Sequence, residues 1–232
     1  MSTNVCIAAV GGPGQAKTFT KTATDGVWNV MLDTLSSQNL GLIMPGATID
    51  SVAVQFTEGS GIWRIISSQT LKIKRYGYAS DLSNVDNAEC KIQPYTLASD
   101  DLLEVYTQDL NTTSNKSNVL SWVQTSRGFD AFGLTGITDS TATEIVSLLN
   151  AQSMGAQFFD STLQSVTVQA GTGERVTSIE VLDSSGGTQF TAYGGNRLPT
   201  AGGYSTQFNL QVSGMAIKIE KGSVLKVTTV TG

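Results

Sequence analysis

The side chains best suited by type to do chemistry in this sequence are oxygen ligands. Asp81, Ser83, Asn84, Asp86, Asn87 and Glu89 fall within nine residues, and hard cations such as Ca2+ bind where several oxygens gather. The spacing is not that of an EF-hand loop, so a solvated loop is the expectation. Asp100, Asp101 and Glu104 form a second acidic group. Two carboxylates facing each other across ~5–10 Å can hydrolyse a glycoside, yet the residues expected to match this group later in the chain, near Lys221 and Lys226, are basic. Gly11-Gly12-Pro13-Gly14 lacks phosphate-loop spacing and reads as a flexible connector. Gly171-Thr172-Gly173, Ser184-Ser185-Gly186-Gly187 and Ala201-Gly202-Gly203 read as turns. There is no GxSxG elbow and no histidine, which removes Ser-His-Asp and Cys-His catalysis and His-ligated metals. Cys6 and Cys90 stand in no CxxC arrangement. They are expected as two buried thiols, and nothing requires a disulfide between them. Trp63, Tyr95, Tyr106 and Trp122 could line a sugar platform, but read better as core or interface anchors. No catalytic, cofactor or metal residue is assigned, and an enzyme is the weakest reading.

The elements that must carry these residues are strands. The chain has 232 residues, of which only 14% are charged, with 24 glycines and 40% hydrophobic residues. Soluble domains typically carry ~25% charge, so the composition describes a folded, Gly/Ser/Thr-rich, mainly β protein. A net charge of −5 with 14 Lys and Arg disfavours nucleic acid and anionic membranes as partners. No basic leader precedes the short apolar run Val5–Val10, and no stretch approaches the ~20 apolar residues of a membrane span. The expectation is assembly in a cytoplasm.

The chain also repeats itself. Shifted by 114 residues, 24–59 lies over 138–173 without a gap, with 11 identities in 36 positions where roughly 2 or 3 would arise by chance. Among them are Leu35/Leu149, Gln38/Gln152, Gly41/Gly155, Thr48/Thr162, Val52/Val166 and Val54/Val168. Two β-sandwich repeats are therefore expected at 1–110 and 119–232, joined by a polar linker at 111–118.

Period-2 alternation marks 49–56 and 163–169 as strands. Further strands are expected at 5–10, 17–22, 61–66, 69–75, 89–96 and 103–108, and in the second repeat at 119–124, 175–182, 188–193, 205–212, 215–220 and 224–230. Pro94 marks its strand as an edge or a bulge. One short helix per repeat is expected. Trp28, Met31, Leu32 and Leu35 have helical spacing in the first, and Ile145, Leu148 and Leu149 follow the capping box Thr141–Glu144 in the second.

The passage Met44-Pro45-Gly46-Ala47-Thr48-Ile49-Asp50-Ser51-Val52-Ala53-Val54 resembles a P-x-G-A-x-I-x-x-V-x-V strand entry of β-sandwich virion proteins of tailed bacteriophages. The ending Ile219-Glu220-Lys221-Gly222-Ser223-Val224-Leu225-Lys226-Val227 is similar to their closing strand pair. Phe158-Phe159-Asp160-Ser161 departs from the Pro-Gly pattern in the second repeat. The resemblance implies jelly-roll-like domains in a capsid decoration, coat or tail component, and carries no site residues. Charge-poor β domains also suit repeated contacts that desolvate cheaply. The expectation is a non-enzymatic capsid decoration or cement protein of the virion. Its partners would be the major capsid protein or other virion proteins, and it would form a homo-oligomer, with a trimer favoured because three two-domain chains present pseudo-sixfold symmetry. A double-jelly-roll coat protein or a tail component is the rival within that class. A tandem carbohydrate-binding module is the rival outside it, disfavoured because Trp63 aligns with Thr177.

Overall fold

A computed structural model describes residues 3–24, 26–57, 60–81, 91–108, 116–170, 174–193, 206–212 and 214–231. The chain divides into two compact units, Met1–Asp109 and Leu110–Gly232. Each is a mainly β sandwich with one short helix.

Unit 1 runs β1 (Thr3–Gly12), β2 (Gln15–Thr24), β3 (Trp28–Val30), β4 (Leu32–Asp33), α1 (Leu40–Ile43), β5 (Thr48–Phe56), β6 (Ser60–Ser67), β7 (Ile73–Asp81), β8 (Lys91–Thr96) and β9 (Asp101–Gln108). One layer is ordered β4-β2-β1-β5 with β8 added to β5, and the other β3-β9-β6-β7. The consecutive β3 and β4 join the layers at one side. At the other, the end of β7 runs parallel to the end of β5 through Gln55↔Ser80 and Phe56↔Asp81. The hydrophobic alternation decides which face turns inward. Cys6, Ala8 and Val10 of β1, Phe19 of β2, Val52, Val54 and Phe56 of β5, Trp63 and Ile65 of β6, and Leu103 and Val105 of β9 form one core.

Unit 2 runs β10 (Lys116–Thr125), β11 (Gly128–Thr138), β12 (Thr143–Ser147), α2 (Met154–Phe158), β13 (Ser161–Ala170), β14 (Glu174–Leu182), β15 (Thr188–Tyr193), β16 (Thr206–Gln211), β17 (Lys218–Ile219) and β18 (Val224–Thr231). Its strand order is β15-β14-β18-β12-β11-β10-β13-β16, with β17 also on β13. Here β12 alone does what β3 and β4 do together, pairing β18 through Thr143–Ile145 and β11 through Val146 and Ser147. Val123, Phe132, Ile145, Leu163, Val166, Ile179, Leu225 and Val227 belong to its core. Hairpins in both units lie within single sheets: β1/β2 and β6/β7, β10/β11 and β14/β15.

The repeat in sequence coincides with a repeat in backbone conformation. Positive φ occurs at Gly26, Ser37 and Gly46, and 114 residues later at Ser140, Ala151 and Asp160; Leu71 and Gly186 match at 115. Gly41 and Gly155, identical in the alignment, are both pressed against a neighbouring turn. A Cβ on Gly41 would lie 2.4 Å from the Ala98 carbonyl oxygen, and one on Gly155 2.3 Å from that of Glu220. Only hydrogen fits there.

Two expectations are corrected. The stripes read as helices are strands: in 28–33 burial alternates, with Asn29, Met31 and Asp33 inside while Leu32 is exposed, and Leu35 is 91% exposed. In 143–149 Ile145, Ser147 and Leu149 are buried. The β-branched Val27, Val30, Thr143, Ile145 and Val146 favour the pleated backbone, and the chance i, i+3, i+4, i+7 spacing of Trp28, Met31, Leu32 and Leu35 imitates a helix. The helices instead follow the N-caps Asn39, which accepts from the Leu42 N–H, and Ser153, which accepts from the Ala156 N–H. Gly11–Gly14 is no connector either. Gly11 and Gly12 end β1, and Pro13-Gly14 is a two-residue hairpin turn with Gly14 at φ 76°, as Pro-Gly at the centre of a type II turn requires.

Smaller differences concern boundaries. β7 starts at Ile73, because the Leu71 N–H donates to the Ser67 carbonyl and closes a turn over 67–71. β11 has no counterpart among the expected strands. Lys116–Asn118 of the expected linker open β10, while 111–115 lie outside the described residues. Pro94 sits where β8 bulges, between Tyr95↔Ile49 and Lys91↔Ser51.

Candidate interaction surface

The acidic residues of the sequence go to separate tasks. Asp101 is fully buried, and its Oδ2 accepts from the Tyr95 hydroxyl and from the Ala98 N–H, both at 2.8 Å, which closes the β8–β9 turn. Burial first, and then Asp101, push the Tyr95 phenol up to about 12. Asp100 accepts from the Ser67 hydroxyl, and that bond holds its carboxyl below the usual range. Glu104 pairs with Arg64 Nε at 2.7 Å, and the Arg64 guanidinium lies 3.9 Å from the ring centroid of Trp28. The three carboxylates therefore cap a turn, anchor a loop and neutralise a cation, and none is left to face another across a cleft.

The aromatic candidates are anchors. Trp63 is fully buried, with Gly77 so close that a Cβ there would meet its ring at 2.8 Å. Tyr106 is buried against Trp28, with ring centroids 5.6 Å apart. Trp122 is half-buried and meets Phe129, and Tyr95 lies under the Arg75 guanidinium. The strand registers place Ile179, not Thr177, at the rung of Trp63, since Trp63 pairs with Val105 and Ile179 with Val227. Cys6 is buried in the core of unit 1. Cys90, residues 82–89 of the oxygen-rich loop, Gly171–Gly173 and Ala201–Gly203 lie outside the described residues. Ser184–Gly187 is a turn closed by Asp183, whose Oδ1 accepts from the N–H groups of Ser185 and Gly187, each at 2.8 Å.

What the structure does assemble is a face. On the outer side of the first layer of unit 1 the registers set Val5 beside Thr22, then Ile7 beside Thr20, Leu32 and Gln55, then Ala9 beside Thr18 and Ala53, then Gly11 beside Ala16 and Ser51. None of these twelve residues is charged. Val5 is 43% exposed, Ile7 39% and Leu32 37%. The lysines of β2, Lys17 and Lys21, fall on the opposite side of the pleat, in register with Val10 and Cys6. A shallow groove runs along one margin, and Val5, Thr20, Thr22 and Leu32 line it together with the charged Lys21 and Asp33. Such a face gives up water without stripping an ion of its hydration. Its threonine hydroxyls can donate or accept in whichever direction a partner requires. Sequence reasoning missed it, although the signal is present: Val5, Ile7 and Ala9 alternate with the core residues of β1, and Thr18, Thr20 and Thr22 alternate with those of β2.

Comparison with family models, curated proteins and solved structures finds no match to this chain. Among the described residues, no helix is long and apolar enough to cross a membrane.

Proposed function

We propose that the protein is a non-enzymatic structural component of a virion, a capsid decoration or cement protein that works by contact area. Its partners are the major capsid protein or other virion proteins and further copies of itself, with a trimer as the favoured oligomer. The observation that carries this reading is the uncharged patch of twelve residues around Ile7 on the outer side of β4-β2-β1-β5. Apolar area removed from water contributes ~25 cal/mol per Å2, and a face without lysines or carboxylates keeps most of that gain on docking.

Light scattering behind size exclusion tests the reading. A trimer or larger closed ring is expected, and Ile7→Lys, which plants a cation in the middle of the face, is expected to reduce it to monomer without lowering the thermal midpoint. A monomer across a wide concentration range, or an oligomer indifferent to Ile7→Lys and to Thr20→Lys, overturns the assignment of this face.

A further inference from the structure

The two units build one and the same turn after β4 and after β12. In unit 1 the Ser37 N–H donates to the Asp33 carbonyl and the Asp33 N–H to that of Gln38. In unit 2 the Ala151 N–H donates to the Ser147 carbonyl and the Ser147 N–H to that of Gln152. Ser37 and Ala151 both stand at φ 58°. Each turn carries a leucine two residues before that position, Leu35 in one and Leu149 in the other.

The surroundings of the two leucines are opposite. Leu35 is 91% exposed and Leu149 only 5%. The neighbouring strands follow the same division. Ile7 pairs with Gln55 as Leu120 pairs with Gln169. Phe19 pairs with Asp33 as Phe132 pairs with Ser147, which sets Thr18 in the place of Ala131. Ile7 and Thr18 are exposed, whereas Leu120 and Ala131 are buried. Yet Leu120, Ala131 and Leu149 are not members of the unit 2 core, and alternation along β10 turns Leu120 away from Val119 and Val123. A face that this polypeptide covers in unit 2 therefore stands open in unit 1.

Leu35 is held rigidly at the margin of that open face. Asp33 Oδ2 accepts from the Leu35 N–H at 3.1 Å and from the Ser36 N–H and hydroxyl, each at 2.7 Å. The Thr34 N–H and hydroxyl both donate to the Thr18 carbonyl, at 3.0 and 2.9 Å. Thr34 and Ser37 reach the groove beside Leu32 and Val5, so the turn continues the patch around Ile7. The one charge of the turn, on Asp33, is taken up by its three donors. A leucine fixed in this way pays little ordering entropy on docking.

We infer that a second copy of this chain closes the open face of unit 1, with Leu35 as the anchor that inserts into it. The inference rests on the reading of that face as a contact surface. A second copy is the occupant because this polypeptide already covers the same leucine on the same turn once, at Leu149. The exposed residues of the turn, 34–38, also offer no charge for a charged partner to read. In a closed ring such a contact is heterologous, so Leu35 of each copy enters a different surface of its neighbour.

Sedimentation equilibrium of the full chain tests the anchor. Burying one exposed leucine changes an association constant by about tenfold to a hundredfold, so Leu35→Ala is expected to raise the concentration of half-assembly at least ~10-fold. In the Ile7→Lys background, where assembly is removed, Leu35→Ala should leave the thermal midpoint where it was, whereas Leu149→Ala should lower it. Half-assembly within about threefold of wild type in Leu35→Ala, while Ile7→Lys still dissociates the oligomer, overturns the anchor and leaves the face standing. A thermal midpoint that falls as far in Leu35→Ala as in Leu149→Ala also overturns it, because Leu35 would then be covered within its own chain. A wild-type chain that stays monomeric overturns the reading of the face, and the anchor with it.

Discussion

The two units close the same turns with different chemistry. Where unit 1 uses the Asp33 carboxylate to hold the N–H groups of Leu35 and Ser36, unit 2 uses the Ser147 hydroxyl to hold that of Leu149. Asp101 accepts from the Ala98 N–H at the turn before β9, and Ser223 accepts from the Glu220 N–H at the turn before β18. On the outer rungs the charges change places, with Arg64 opposite Glu104 in one unit and Glu180 opposite Lys226 in the other. Even the left-handed residue before β5 and β13 differs, Gly46 against Asp160. The backbone dictates which N–H groups need an acceptor and which residues need positive φ. It leaves open which side chain answers, and that freedom is where the units acquire different responses to pH and salt.

The sharpest test of this equivalence is to break both units at one shared point. Gly41→Ala and Gly155→Ala each drive a methyl into backbone, and each is expected to cost about 3 kcal/mol or more, at the upper end of overpacking. Hydrogen exchange of the full chain should show each loss confined to its own unit. A loss in one unit only would break the equivalence.

The next largest effect separates the units. Bonds from Ser36, aided by Lys17, hold Asp33 below the usual carboxylate range. Its contribution is therefore present above the ordinary aspartate range and is lost only as the pH falls through its lowered value. Asp130 of β11 has the opposite sign, since burial pushes its carboxyl up to about 7, so between pH 4 and 7 unit 2 should lose up to about 4 kcal/mol while unit 1 stays flat. Urea titration with exchange detection at pH 4.5 and 7.5 checks this. Parallel slopes in the two units would contradict it.

Salt sharpens the comparison further. Arg64 and Glu104 are each only 13% exposed, and Arg64 is stacked on Trp28, so Glu104→Ala should cost roughly 1–2 kcal/mol and persist at 1 M salt. Asp160 meets Lys218 at 3.4 Å and Arg127 at 3.8 Å, all well exposed, and Lys218→Ala should cost under about 0.5 kcal/mol and vanish in salt. The smallest effect belongs to Asp160→Gly, where relief of the positive φ and loss of those exposed pairs should cancel to within about 0.5 kcal/mol. Thermal midpoints at low and high salt resolve both.

Most strands were legible because alternation with period 2 is local: 188–193 was read to the residue, and 49–56 and 163–169 to within two. β11 was not, since Gly128, Gly133 and Gly136 interrupt it and one of its inward positions is the acid Asp130. The helices were misplaced because four and five residues are too short to show a periodic stripe, whereas the strands beside them happened to show one. Asn39 and Ser153 were the readable signals, as capping residues. The acidic group at 100–104 suggested a cleft, but in a strand neighbours point to opposite faces, so adjacency in sequence dispersed those carboxylates.

What the residue order determined by itself is the repeat, the run of strands and the turns between them, because each follows from spacing within a few residues or from matching two segments. What only the tertiary structure decided is what each strand face meets. Alternation says that Ile7 and Ala8 point opposite ways, yet not that Ala8 enters a core while Ile7 stands in an uncharged field built from β1, β2, β4 and β5. Nor does the sequence around Asp130 announce that its carboxyl is fully buried. That burial is imposed by β10 and β12, which pack beside it only in the folded chain.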